Sequence, residues 1–173
     1  FESNVASSGG GAIYANGGTV IIRNCRFISN SASSNGGAIS GATNCNEIKI
    51  DNSYFKDNHA KGQGGAIHYA QGTSKRNITN SNFTNNYVER ASSWDTFGGV
   101  FSFHGNNNVD SYLYIDNCIM RGSTSPSAHS ITQAQGVTSG KVHILNSVFE
   151  SNNAEGAHST VCLTNMSGAI IDN

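Results

Sequence analysis

The chain has little of what most globular domains are built from. Its 173 residues include one proline, two methionines, one tryptophan and three leucines. Charged residues make up 12%, about half the usual quarter, and the formal net charge is −1. Each scarcity excludes something. With no basic excess there is nothing to track a phosphate backbone, so nucleic acid is not an expected partner. No apolar run approaches the roughly 18 residues of a membrane-spanning helix, so this segment is not expected to insert into a bilayer. What is abundant instead is Ser (24), Asn (23) and Gly (20). Together with the low charge, they argue against a helical bundle. Disorder is the first thought for so polar a chain, but the 36% of hydrophobic residues fall at regular positions, which speaks against it.

That regularity is a repeat. F-E-S-N at Phe1 is followed by F-I-S-N at Phe27, F-K-D-N at Phe55, F-T-N-N at Phe83 and F-E-S-N at Phe149, with Met120 heading one degenerate copy. Spacings along this column are 26, 28, 28, 37 and 29 residues. G-G-A-I follows in phase at Gly10, Gly36 and Gly64, and G-G-V-F at Gly98. Before each Phe the apolar residues alternate, as in Ile48-Lys49-Ile50 and Leu113-Tyr114-Ile115. A period of two is that of a strand with one buried face, and a helical spacing of three and four is nowhere sustained. Leucine is too rare for a leucine-rich horseshoe. The expected fold is all-β: a parallel β-helix (β-solenoid) of about six coils, 26–37 residues each, spanning 1–173 as a single unit. The chain starts and stops in mid-repeat, so it is expected to be a piece of a longer repeat array.

Stacked coils give each column its own role. Phe1, Phe27, Phe55, Phe83, Met120 and Phe149 are the expected stacked core. Ile22, Ile50, Ile78, Ile115, Ile144 and Ile171 form a second buried stripe. Asn24, Asn52, Asn80, Asn117, Asn146 and Asn173 form an expected structural ladder at a strand end, where Asn tolerates the left-handed conformation and stacked amides bond to one another. A second Asn column (Asn4, Asn30, Asn58, Asn86 and Asn152) marks the next corner. The paired glycines are expected to supply positive φ or close backbone approach.

The paired motifs G-G-A-I and F-x-x-N resemble the polymorphic membrane protein family of chlamydiae, cleanly from Phe1 to Gly99 and in weakened form from Met120 onward. The resemblance implies a right-handed β-helix displayed outside the cell, at the surface or in the extracellular space, and used in adhesion or surface architecture. In the chlamydial members it also implies export through a C-terminal barrel.

Chemistry is hard to find in the columns. Asp51, Asp116 and Asp172 share one with Thr79 and Leu145 between them, so adjacent coils never present two acids. They read as solvated charges beside a turn, not as a lyase or glycosidase pair. His129 and His158 match between neighbouring copies, but only Cys162 stands near them as a further zinc ligand. No catalytic residue, metal site or cofactor is expected. Cys25 and Cys118 share a column with Ser53, Ser81 and Ser147, three coils apart and beyond disulfide reach. A bridge between Cys45 and Cys162 is equally doubtful.

Three sequons occur, at Asn77, Asn82 and Asn165. Alternation points Asn77 and Asn82 outward, as a glycan requires. Between Asn86 and Gly98 the chain takes 12 residues where the first three copies take 6. This insertion holds Glu89, Arg90, Trp94 and Asp95, a candidate interaction loop, with packing of Trp94 on the solenoid wall as its alternative. The expected function is a non-enzymatic extracellular solenoid, either an adhesin passenger or a structural subunit of a surface filament or appendage. Its expected partners are other protein chains or surface glycans, or its own copies end to end or side by side. The alternative is a carbohydrate-active β-helix enzyme, a lyase or hydrolase, resting on Asp51 or Asp116.

Overall fold

In a computed structural model of the protein the described residues are 1–70, 75–89, 98–104, 112–125, 132–135, 141–154, 160–163 and 168–173. Every regular element among them is a β-strand. Alternation sorts inside from outside. In 47–51, Lys75–Thr79, Tyr112–Asp116 and Lys141–Leu145 the residues at every second position are buried and those between are not. Each strand pairs in parallel with its counterparts in neighbouring coils, giving three sheets of six strands and one of five. The chain therefore forms a parallel β-solenoid.

Four sheets line the solenoid. The long-strand sheet runs from Gly18–Arg23 to Gly168–Asp172. A tight corner leads into the Phe sheet, Arg26–Ile28 to Val148–Glu150. A second corner leads into two-residue strands, Val5–Ala6 to Asn153–Ala154. The fourth sheet, Ile13–Ala15 to Val161–Leu163, follows the glycine pair.

Pairing registers align the expected columns residue for residue. Phe27, Phe55, Phe83, Met120 and Phe149 are successive partners, as are Ile22, Ile50, Ile78, Ile115, Ile144 and Ile171. The rings of Phe1, Phe27, Phe55 and Phe83 stack at centroid distances of 4.8, 4.7 and 4.8 Å, within 10° of parallel. Phe27, Phe55, Phe83 and Met120 are fully buried. Phe1 is 58% exposed and Ile171 65% exposed, and Phe149 is half-buried. These three residues lie in the outermost coils of the 173 residues. A side chain in a solenoid is covered by the coil on each side of it, and these have a neighbour on one side.

Both corners adjoining the Phe sheet use the left-handed conformation. The first is held by Asn24, Asn52, Asn80, Asn117 and Asn146, with φ between 45° and 55°. The second is held by Ser3, Ser29, Asp57, Asn85, Gly122 and Ser151, with φ between 52° and 64°. Most are Asn, Asp or Ser, whose short polar side chains bond locally and offset part of the strain. The two glycines of each pair divide the two roles expected of them. Gly36 has φ 68°, whereas a Cβ on Gly37 would run into the Gly65 carbonyl oxygen and the His59 backbone.

The sequence columns did not show a second aromatic cluster on the glycine-pair side. Tyr69, Phe101 and Phe103 are fully buried, with Phe101 edge-on to Phe83 at 4.6 Å. Gly41, the register partner of Tyr69, leaves the space that the Tyr69 ring fills. Arg76 points into the same interior at 1% exposure, its guanidinium 5.4 Å from the Phe103 ring centroid. Burial lowers its pKa to about 10, so it is a cation at neutral pH.

Candidate functional surface

The first Asn column lies in solvent at the corner between the long-strand and Phe sheets. Asn52 Nδ2 donates to Asn24 Oδ1 at 2.8 Å, as an amide ladder would. Asn80 instead donates to Asp51 Oδ1 at 2.7 Å, and Asn146 to Asp116 Oδ1 at 2.9 Å. Asn117 returns to Asn80 Oδ1 at 2.9 Å. Asn173, in the last coil, donates its backbone N–H to Asp172. The expected unbroken amide ladder is thus corrected to a mixed one, because an ionised carboxylate outcompetes an amide oxygen as acceptor.

Asp51 and Asp116 are for the same reason not simple solvated charges. Asp51 also accepts from Thr79 Oγ1 at 2.7 Å, and Asp116 from the Tyr114 hydroxyl at 2.9 Å. The Thr79 hydroxyl first, then the Asn80 amide, holds the Asp51 carboxyl below its ordinary range. The Asn146 amide and then the Tyr114 hydroxyl do so for Asp116. Thr79 separates the two acids in the sheet. A glycosidase acid needs a raised pKa, and both carboxyls move the other way.

The second Asn column is the internal ladder. Asn30, Asn58 and Asn86 are fully buried. Asn30 Nδ2 donates to Asn58 Oδ1, and Asn58 Nδ2 to Asn86 Oδ1, both at 2.9 Å. Each Oδ1 also accepts the backbone N–H of the preceding Asn at 3.0 Å. The spare amide hydrogens of Asn58 and Asn86 reach the carbonyls of Phe27 and Phe55, at 3.0 Å each. Every polar atom of these amides is thereby used inside the wall, as burial demands.

The Ser/Cys column repeats a smaller version. The Ser53, Ser81 and Ser147 hydroxyls donate to the carbonyls of Asp51, Thr79 and Leu145. Ser53 and Ser81 accept the N–H of the residue stacked before them, Cys25 and Ser53. Cys118 Sγ makes the same backward contact, to the Asp116 carbonyl at 3.3 Å, and burial pushes its thiol up to about 11. All four cysteines are free.

Asn77, central in Lys75–Thr79, and Asn82, the first residue of Asn82–Thr84, are half-buried on outer faces, with Asn82 Oδ1 accepting the Thr84 hydroxyl at 3.0 Å. Asn165 lies outside the described residues. Of the candidate loop only Glu89 is described. It is exposed, its N–H bonds the Ala60 carbonyl at 2.8 Å, and its carboxylate stands 3.1 Å from His59 Nε2. The contact is an ion pair only when His59 is protonated. Arg90, Trp94 and Asp95 lie outside the described residues, as do His129 and His158. The sequence columns also did not show an outer-face ring cluster. Tyr112 lies 6.0 Å from Tyr114 and 5.4 Å from His143, centroid to centroid.

Continuous columns, polar ladders within the wall and a sheet face open to solvent define a β-solenoid repeat protein. Residues 1–16, 24–42 and 52–70 match the Chlamydia polymorphic membrane protein repeat, so the solenoid is a repeat protein similar to that family. The strands from Lys75 onward carry the same columns in register, beyond the matched residues. No curated protein and no solved structure matches the chain.

Proposed function

We propose that the protein is a non-enzymatic solenoid displayed at the cell surface or outside the cell, serving as an adhesive passenger or as a structural subunit of a surface appendage. The observation that carries this reading is the match of its repeats to those of a bacterial polymorphic membrane protein family. The architecture fits such a use, since a stack of paired coils presents long flat flanks to other chains or to surface glycans. Asn82 stands on those flanks, where an N-glycan would be tolerated. The enzyme alternative gains no support from Asp51 and Asp116, whose hydrogen bonds hold them in the ionised form.

The test is surface labelling. Antibodies raised against residues 1–173 should stain intact, unpermeabilised source cells, and brief external proteolysis should remove the stain without lysis. Staining seen only after permeabilisation would overturn the reading.

A further inference from the structure

Between the third and fifth strands of the long-strand sheet, six outward positions form a grid of two rows. Pairing places Tyr112 between Lys75 and Lys141, and Tyr114 between Asn77 and His143. Neighbours in a row are one strand spacing apart, about 4.8 Å. The three rings make one cluster. Tyr112 and Tyr114 are within 17° of parallel at 6.0 Å, and His143 lies 5.4 and 6.4 Å from them. Both lysines are exposed and the rings and Asn77 half-buried.

The charges of this grid are unbalanced. Lys49, on the same face, is paired with Glu47 at 3.0 Å. Neither Lys75 nor Lys141 has a salt bridge among the described residues. The nearby Asp116 carboxylate is engaged by Tyr114 and Asn146. Glu47 is also the register partner of Lys75, so Lys49 and Lys75 share one carboxylate, and the excess positive charge flanks an aromatic ring on a flat, solvent-facing sheet.

A ligand matching this surface needs three properties. It needs a face of polarised C–H groups to lie against the negative π-face of a tyrosine. It needs hydroxyls for the Asn77 amide. It needs an anionic group within reach of the flanking ammonium groups, which attract it over about 8 Å at physiological salt. A pyranose carrying a carboxylate has all three. We propose that Lys75, Tyr112, Lys141, Asn77, Tyr114 and His143 form a binding site for an acidic sugar residue, of the uronic or sialic acid class, on a surface glycan. The proposal rests on the surface-display reading for the setting in which such a glycan is met. A neutral sugar would leave this excess positive charge unmatched. A nucleic acid would require a longer basic track than this chain has.

The experiment is saturation-transfer NMR and calorimetry on the 173-residue chain. The acidic probes are sialyllactose and an oligogalacturonate, and the neutral ones lactose and a maltooligosaccharide of equal length. At least one acidic probe should bind at least about tenfold more tightly than its neutral counterpart, with affinity falling as salt rises. Lys75→Gln combined with Lys141→Gln touches only exposed termini and leaves the fold intact, so it should weaken that binding at least about tenfold. Tyr112→Ala should weaken it similarly while Tyr112→Phe retains it, with thermal melts checking that each variant is folded. Equal or absent binding of acidic and neutral probes overturns the proposal, as does binding that survives the double lysine variant. Surface staining without acidic-sugar binding removes this inference alone, whereas sugar binding by a chain that never reaches the surface removes the display reading alone.

Discussion

Asn80 directs its amide to Asp51, at 2.7 Å, and not to Asn52, the residue before it in its own column. The same step sideways joins Asn146 to Asp116. The corner amides are exposed and alternate their acceptors, whereas Asn58, one corner further on, is fully buried and engaged on both sides by its own kind. Two columns that look equivalent in sequence thus differ in what they contribute.

Asn58→Ala is therefore expected to cost about 3 kcal/mol or more, because it strips partners from two neighbouring coils and leaves buried groups unpaired. Asn80→Ala is expected to cost about 1 kcal/mol or less, since water replaces the lost bonds. Urea midpoints of the two variants, compared at constant slope, decide the order. Equal midpoints would contradict the assignment of the internal ladder.

Glycine substitutions separate in the same way. A Cβ on Gly37 meets backbone of the next coil, while one on Gly168 meets nothing within 4 Å. Gly37→Ala should cost about 3 kcal/mol or more, because two main chains must be pushed apart. Gly168→Ala should stay within about 0.5 kcal/mol. Thermal melts of both variants give the comparison.

Tyr69 offers a substitution that should help. Its ring fills the space over Gly41, but its hydroxyl is buried with no hydrogen-bond partner among the described residues, and burial pushes its pKa up. Tyr69→Phe keeps the ring and removes the unpaired group, so stability should rise by about 1 kcal/mol. A loss of stability on chemical denaturation would mean that the hydroxyl has a partner in the folded protein.

Acid should weaken the solenoid in two separate windows. Burial, opposed by the Glu89 charge, lowers the pKa of His59, so between its folded value and the ordinary 6.5 the unfolded chain binds more protons. The His59 contribution is complete above about pH 6.5 and is lost as pH falls through the folded pKa. Asp51 and Asp116 are also lowered. Their contribution is complete above about pH 3.9 and disappears further down. The melting temperature should fall in both windows, and His59→Gln should flatten the upper one alone.

The coil period, the buried Phe and Ile stripes and the left-handed Asn corner are legible in residue spacing, because each needs the same residue type at the same place in every coil. Identity along a column is the signal, and where packing does without identity the signal vanishes. Tyr69 stands over Gly41 and under Phe103, a run of complementary sizes that shows no pattern in one dimension. Arg76 is placed inward by strict alternation with Lys75 and Asn77, yet a charge is easily passed over in a stripe defined by Ile78. The Asn80–Asp51 bond crosses from one column to its neighbour, and so does the approach of Glu89 to His59. Columns taken one at a time do not reveal such diagonal pairs.

The internal ladder also decides how the molecule answers to force. Asn30, Asn58 and Asn86 bond across 28 residues at each step, and every sheet pairs one coil only with its immediate neighbours. Tension along the stack therefore loads the coils in series. One coil peels while those behind it keep their pairing, and each event releases roughly 90 Å of chain. A tether built this way lengthens in discrete steps under load, dissipating work at every rung before the attachment it carries has to yield.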